Sequence, residues 1–208
     1  NRAAQEEAEK VLAMIGGVRH NLNAHVWFEF EFSPKEVLDE IIVTGCIPDQ
    51  KAYQFYPTPD ALAAQVIQLA DIGEEHTCLE PSAGTGGLAD HMPKARTRCI
   101  EISELHCKVL QAKGYDVTQA DFLSWSHTTT DRFDRLVLNP PFSEGRWQSH
   151  LSAAATLLEV GGQITAVLPA SAKNKEVLKG FEIEWSRIIE NAFSDTSVSV
   201  VILTARKK

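Results

Sequence analysis

The chain has 208 residues, 20 Lys and Arg against 28 Asp and Glu for a formal net charge of −8, and is 44% hydrophobic and 23% charged. That length and apolar fraction exclude a largely disordered chain and fit one domain of about 150 residues plus an appendage. No apolar run reaches the roughly 20 residues of a membrane span and no signal-peptide pattern opens the chain, so a soluble, cytoplasmic protein without a membrane partner is expected. The acidic balance argues against coating nucleic acid by charge alone, and still allows a local basic face. Asn1 in place of Met is read as the mark of a fragment or a trimmed product.

Residues 1–50 read as an extension and 51–208 as the main domain. Positions 2–15 have helix-forming composition and stop at Gly16-Gly17; HVWFEFEF alternates Val26, Phe28, Phe30 and Phe32 as a strand; Ser33-Pro34-Lys35-Glu36 predicts a capping box with Pro at the first helical position. The chain up to Asp60 carries 5 basic and 10 acidic residues, most of the net charge.

From Tyr56 helices and strands alternate, which predicts an α/β fold: a mostly parallel, Rossmann-like sheet with helices on both faces and an antiparallel ending. Thr58-Pro59 starts a helix, TCLE is a buried strand, and a Gly-rich turn leads into a helix over about Gly87 to Met92. RCIEI follows as a strand, Ser103 caps a helix to about Lys113, and DVTQAD and RLVL are further strands. A helix from about Arg146 to Glu159 stops at Gly161-Gly162, QITAVL is the fifth strand, and RIIENAF and SVSVVILTA form a hairpin across a Ser-Asp-Thr turn. Arg206-Lys207-Lys208 reads as a solubilising tail. Cys46, Cys78, Cys99 and Cys107 show neither a CxxC pair nor a His partner at metal-ligand spacing, so they read as reduced thiols and no metal is expected.

The sharpest local feature is LEPSAGTGG (79–87), where a strand turns into a helix. Glycines there let a backbone approach a ligand. Alone, such a turn suits NAD, a flavin, a phosphate, S-adenosylmethionine or nothing at all. Glu101 stands 21 residues after Glu80, where a carboxylate can take both ribose hydroxyls of an adenosine ligand. Asp121-Phe122 ends the next strand, a carboxylate for an adenine amine beside an aromatic ring.

Asn139-Pro140-Pro141-Phe142 follows RLVL directly. Two prolines cannot extend a sheet, so the Asn amide and the Pro140 carbonyl are fixed at its carboxyl edge. A planar amine is a poor nucleophile because its lone pair is delocalised. Two acceptors binding its two hydrogens favour the pyramidal, more nucleophilic form, and Phe142 can stack on the attached ring.

YPTP (56–59), LEPSAGTGG, CIEIS (99–103), ADF (120–122) and LNPPF (138–142), in that order, resemble the amino-methylating class I methyltransferases, above all adenine-N6 DNA methyltransferases of the gamma arrangement. The likeness spans about residues 53–205. It implies S-adenosylmethionine as cofactor, with Thr58 at the methionine carboxylate and Glu80, Pro81, Ser82, Ala83, Gly84 and Gly86 around the amino acid moiety. Glu101 would take the ribose, Ile102 would flank the adenine, and Asp121 and Phe122 would hold its edge. Asn139, Pro140, Pro141 and Phe142 would hold the target amine and base.

Only 66 residues follow Phe142, too few for the target-recognition domain such enzymes usually append. Recognition is therefore expected from the N-terminal block, a loop, a missing segment, a partner subunit or a homodimer. Basic and aromatic residues after the catalytic segment, Arg146, Trp147, Lys173 and Lys175, are expected beside the pocket, for phosphate contact and for stacking a flipped base. The leading reading is transfer of a methyl group to adenine in DNA. Transfer to an RNA base or a protein glutamine is the alternative with the same cofactor, and a catalytically silent partner subunit is the third.

Overall fold

A computed structural model describes residues 2–23, 25–45, 57–193 and 198–208. The chain order is α1 (Arg2–Met14), β1 (Val18–Leu22), β2 (His25–Glu29), α2 (Lys35–Thr44), α3 (Asp60–Ala70), β3 (Cys78–Pro81), β4 (Thr97–Glu101) and α4 (Glu104–Ala112). It continues with β5 (Asp116–Gln119), α5 (Phe122–Ser126), β6 (Phe133–Leu138), α6 (Arg146–Thr156), β7 (Leu158–Pro169), β8 (Phe181–Trp185) and β9 (Val200–Lys207).

Seven strands form one sheet in the order β5-β4-β3-β6-β7-β9-β8. All neighbours are parallel except β9, which runs antiparallel between β7 and β8. The central strands read as unbroken apolar runs because both of their faces are covered. Leu136, Leu138, Ala166, Leu168, Val201 and Leu203 pack with Trp147, Leu151 and Ala154 of α6. The residues between them, Val137, Val167, Val200 and Ile202, pack with Leu62, Ala63, Val66 and Ala70 of α3. One alternation thus builds two cores, one on each face. Cys78, Cys99 and Cys107 are buried within the fold as free thiols.

Several local expectations are corrected. No helix forms over Gly87–Met92, only a 3-10 turn at Ala89–His91, because Pro93 forces Met92 into an extended conformation (φ −114°, ψ 159°). Gly161-Gly162 does not end α6, which stops at Thr156. The pair lies in a bulge of β7 between Leu158 and Gln163, opposite Phe133 and Arg135. Gly162 is required there, since a Cβ would sit 2.9 Å from the Asp134 carbonyl oxygen. Pro34 holds the N-cap of α2 with no side-chain cap bond, so Ser33 makes no capping box. RIIENAF is not a strand and contributes only the bridge Ile189–Val200; the partner of β9 is FEIEW, whose Phe181, Ile183 and Trp185 pack on the core while the glutamates alternate outward. Arg206 and Lys207 belong to β9 and bond to Gln163 and to the Leu158 carbonyl, so they are sheet residues and not a tail. Cys46, Tyr56 and the Ser194-Asp195-Thr196 turn lie outside the described residues.

The N-terminal block contains a hairpin of β1 and β2, of which only the second strand is legible as an alternation. It is fastened to the sheet domain through α4: Ile15, Phe32 and Val37 bury against Val109, and Lys108 Nζ lies 2.8 Å from Glu40. Gly17 is pressed between Leu12 and the rings of Phe28 and Phe30, with no room for a Cβ.

Candidate active site

β3 has β4 on one side and β6 on the other, so the sheet reverses its order of growth at that point. The carboxyl ends of strands diverge into a crevice at such a switch. A cavity of about 390 Å³ opens there. Its walls are the ends of β3 (Glu80, Ser82, Ala83, Gly84), β4 (Glu101, Ile102), β5 (Ala120, Asp121, Phe122) and β6 (Asn139 to Phe142), with Thr58 before α3.

Glu80 and Glu101 are both buried, and their surroundings shift their carboxyls in opposite directions. Glu101 receives the Gly84 N–H on Oε2 (2.6 Å) and the Ser103 N–H on Oε1 (2.8 Å), and His106 Nδ1 lies 3.7 Å from Oε1. Burial pushes its carboxyl up, but His106 and the two N–H groups outweigh that and hold it below the ordinary value. Glu80 receives one N–H, from Ala89 (2.8 Å). Burial, reinforced by the charges of Asp90 and Glu101, raises its carboxyl well above the ordinary range. The fold thus favours the carboxylate at Glu101, which keeps lone pairs for further donors, and favours the protonated acid at Glu80.

Asn139 leaves β6 half-buried, and its Nδ2 donates to Thr58 Oγ1 at 3.1 Å. Pro140 is buried, and the Phe142 ring meets Phe193 edge-on at 6.4 Å. Asp121 caps α5 by accepting the Ser124 N–H on Oδ1 (2.8 Å). Phe122 is buried, with His150 5.4 Å away between ring centroids.

Other expected site residues lie elsewhere. Trp147 is a core residue, 6% exposed and packed with Leu151 and Ala154, so it does not line the cavity. Lys173 Nζ donates to the Ser186 carbonyl, and neither it nor Lys175 is among the lining residues; of the basic set only Arg146 is. Pro81 stays within β3, and Gly86 (φ +93°) faces Leu110 of α4, so its missing side chain serves packing. Gly87 instead lies under Thr58, whose carbonyl oxygen would be 3.3 Å from a Cβ.

Four contributors have no counterpart among the sequence motifs. His106 and His150 line the cavity from α4 and α6. Lys113 braces the glycine turn, with Nζ 2.8 Å from the Thr85 carbonyl and 2.5 Å from Asp90. Ala13, Gly16, Gly17, Val18 and Glu31 of the N-terminal block form a further wall. The only sequence signal for that wall is the Gly16-Gly17 pair, which reads equally well as a helix stop.

The wall is acidic: Glu31, Asp60, Glu80, Asp90, Glu101 and Asp121 line it against Lys113 and Arg146. With the 3-10 turn in place of a helix, no helix N-terminus follows the glycine turn itself, so a pyrophosphate placed at that turn would meet the carboxyl groups of Glu80, Asp90 and Glu101. The residues suit S-adenosylmethionine. Its sulfonium and ammonium charges match the acids, its ribose hydroxyls match an ionised Glu101, and the glycine turn leaves its backbone approachable.

No curated protein matches the chain. Among solved structures it is similar to TrmN from Thermus thermophilus (22% identity, 72% of this chain and 49% of that chain, TM-score 0.59). It is also similar to a chain from Vibrio vulnificus YJ016 described as a modification subunit of a provisionally assigned type I restriction enzyme (16%, 83% and 48%, TM-score 0.61). A third is NSun6 from Pyrococcus horikoshii solved with SFG, an S-adenosylmethionine analogue (12%, 70% and 51%, TM-score 0.53). The chain spans about half the length of each, and these likenesses establish the shared fold. Residues 83–193, more than half of the chain, match the model of the methyltransferase small domain. The acidic crevice at the switch point therefore sits in a chain that belongs to the methyltransferase small domain family of S-adenosylmethionine-dependent methyltransferases.

Proposed function

We propose that the protein methylates the exocyclic N6 amine of adenine in DNA, taking the base flipped out of its stack. The observation that carries this reading is the orientation of Asn139. Its Nδ2 is engaged by Thr58 Oγ1, which leaves Oδ1, the acceptor end of the amide, for an incoming amine at the cavity. The Pro140 carbonyl is the second acceptor, and Phe142 stacks on the ring. An amine with both hydrogens held this way has its lone pair directed out of the ring plane.

S-adenosylmethionine supplies an electrophilic methyl group. Thr58, whose hydroxyl oxygen accepts from Asn139, has its own O–H for the methionine carboxylate, so one side chain links the two substrates. Glu80, Ser82, Ala83 and Gly84 surround the amino acid moiety, Glu101 takes the ribose, Ile102 flanks the adenine, and Asp121 with Phe122 holds its edge. Arg146 meets a phosphate at the mouth of the crevice. A partner subunit or a second copy supplies recognition of the target sequence. The likeness to the V. vulnificus modification subunit, a component of a multi-subunit enzyme by its description, supports that division of labour.

The test is Asn139→Ala, with methyl transfer to DNA, RNA and protein measured beside cofactor binding. Loss of DNA methylation by about 10²–10³-fold with cofactor still bound is expected. Undiminished transfer to adenine would refute the role of Asn139. Transfer by the unaltered protein to RNA or protein alone would refute the DNA assignment.

A further inference from the structure

His150 belongs to none of the sequence motifs, and the reaction as described does not use it. It stands one turn after Arg146 on α6, is 6% exposed and lines the cavity. Its Nδ1 lies 3.2 Å from Ser82 Oγ. Ser82 has φ +80°, a left-handed conformation that a side chain disfavours, in the turn between β3 and the glycines. Its N–H and that of Ala83 both donate to the Ile100 carbonyl (2.8 and 3.0 Å), and the next residue, Gly84, donates to Glu101. The strained turn is therefore held from the β4 side through its backbone and from the α6 side through one imidazole. Non-glycine residues in such conformations persist where their surroundings over-determine them, and they cluster at active sites.

We propose that His150 is a positioning residue: by holding Ser82 in its left-handed turn it locks the cofactor loop to α6, the helix that follows the Asn139 segment, so that the two halves of the site keep one spacing. The imidazole suits the task because it stays neutral. Burial pushes it down to about 4, Arg146 on the same helix adds to the effect, and Asp121 opposes it. The hydrogen bond to Ser82 therefore persists across the neutral range, in whichever tautomer. The inference rests on the use of S-adenosylmethionine and not on the identity of the acceptor.

A double-mutant cycle in the full chain tests it, read by calorimetric binding of S-adenosylhomocysteine, which needs no acceptor, with thermal unfolding alongside. His150→Leu is expected to weaken binding by about tenfold, the size of one lost hydrogen bond, and His150→Gln to restore most of it, because an amide can still bond Ser82 Oγ. In the Ser82→Gly background, where glycine takes φ +80° unaided, adding His150→Leu is expected to change binding by less than about twofold. Equal losses from His150→Leu in both backgrounds, or no loss in either, would overturn the proposal. Should His150→Leu fail to fold, Ser82→Ala carries the same test without touching α6: it removes the hydroxyl and keeps the strain. Unchanged binding by that variant would overturn the proposal, as would a loss equal to that of Ser82→Gly, which lacks the same hydroxyl without the strain; a loss greater than that of Ser82→Gly would support it.

Discussion

Glu101→Gln separates the structural duty of this carboxylate from any contact with a ligand. The side chain is 6% exposed, and its two oxygens each take one backbone N–H, from Gly84 at 2.6 Å and from Ser103 at 2.8 Å. An amide offers one acceptor and presents an NH₂ to the other donor, so one buried N–H is left without an acceptor, at a cost of about 1–3 kcal/mol. At roughly 2–4 °C per kcal/mol for a domain of this size, the ligand-free protein should melt about 2–12 °C lower. Glu101→Ala strands both donors and should cost about 2–6 kcal/mol. The acid dependence has a definite sign. The carboxyl is held below its ordinary 4.5 in the fold, so its contribution is complete above that pH and is lost as pH falls below it through the folded value. The Gln variant should lack that part of the acid sensitivity. Calorimetric or urea unfolding between pH 3 and pH 7 reads both effects. A Gln variant with an unchanged midpoint at pH 7 would refute the assignment of Glu101 as the strut of the glycine turn.

Glu80→Gln should act the other way. The buried carboxyl is pushed well above 4.5, so the fold favours the proton and loses stability as pH rises above 4.5; an amide that still accepts from Ala89 removes that loss, and the variant should melt higher at pH 7 while binding S-adenosylmethionine more weakly. Trp147→Ala should cost about 3–5 kcal/mol in urea unfolding as a core truncation, and the folded fraction should bind nucleic acid as before, since the indole packs with α6 and the sheet and not in the cavity.

What could be read from the sequence was what is written locally. Asn139 and its prolines lie next to one another, and the strand ends bearing Glu80, Glu101 and Asp121 are fixed by alternation and by the turn residues after them, so the crevice assembled where the motifs put it. The core position of Trp147 does have a signal in the sequence. Trp147, Leu151 and Ala154 fall at helical spacing i, i+4 and i+7, which makes the indole part of a core stripe, while Arg146, one residue earlier, turns to the cavity. The glycines at 161 and 162 read as a helix stop because a bulge and a stop use the same residue, and only the approach of the Asp134 carbonyl distinguishes them. The N-terminal wall and the His150–Ser82 contact were illegible for a different reason. Each joins segments far apart in the chain, 68 residues in the second case, and no local pattern records which distant surfaces will meet.

The antiparallel strand β9 also fixes an order of assembly. It lies between β7 and β8 and bonds to both, from Gln163–Arg206 at one end of its ladder to Pro169–Val200 at the other. During synthesis, β3, β4 and β5 have all their sheet partners once β6 is complete at residue 138, while β7 waits with an unpaired apolar edge until residues 200–207 have emerged. Such an edge invites pairing with other chains. Because β6, which ends at Leu138 just before Asn139, pairs with that same β7, the half of the crevice that carries Asn139 is the part to be completed last, and the part that a late truncation would leave open and prone to aggregate.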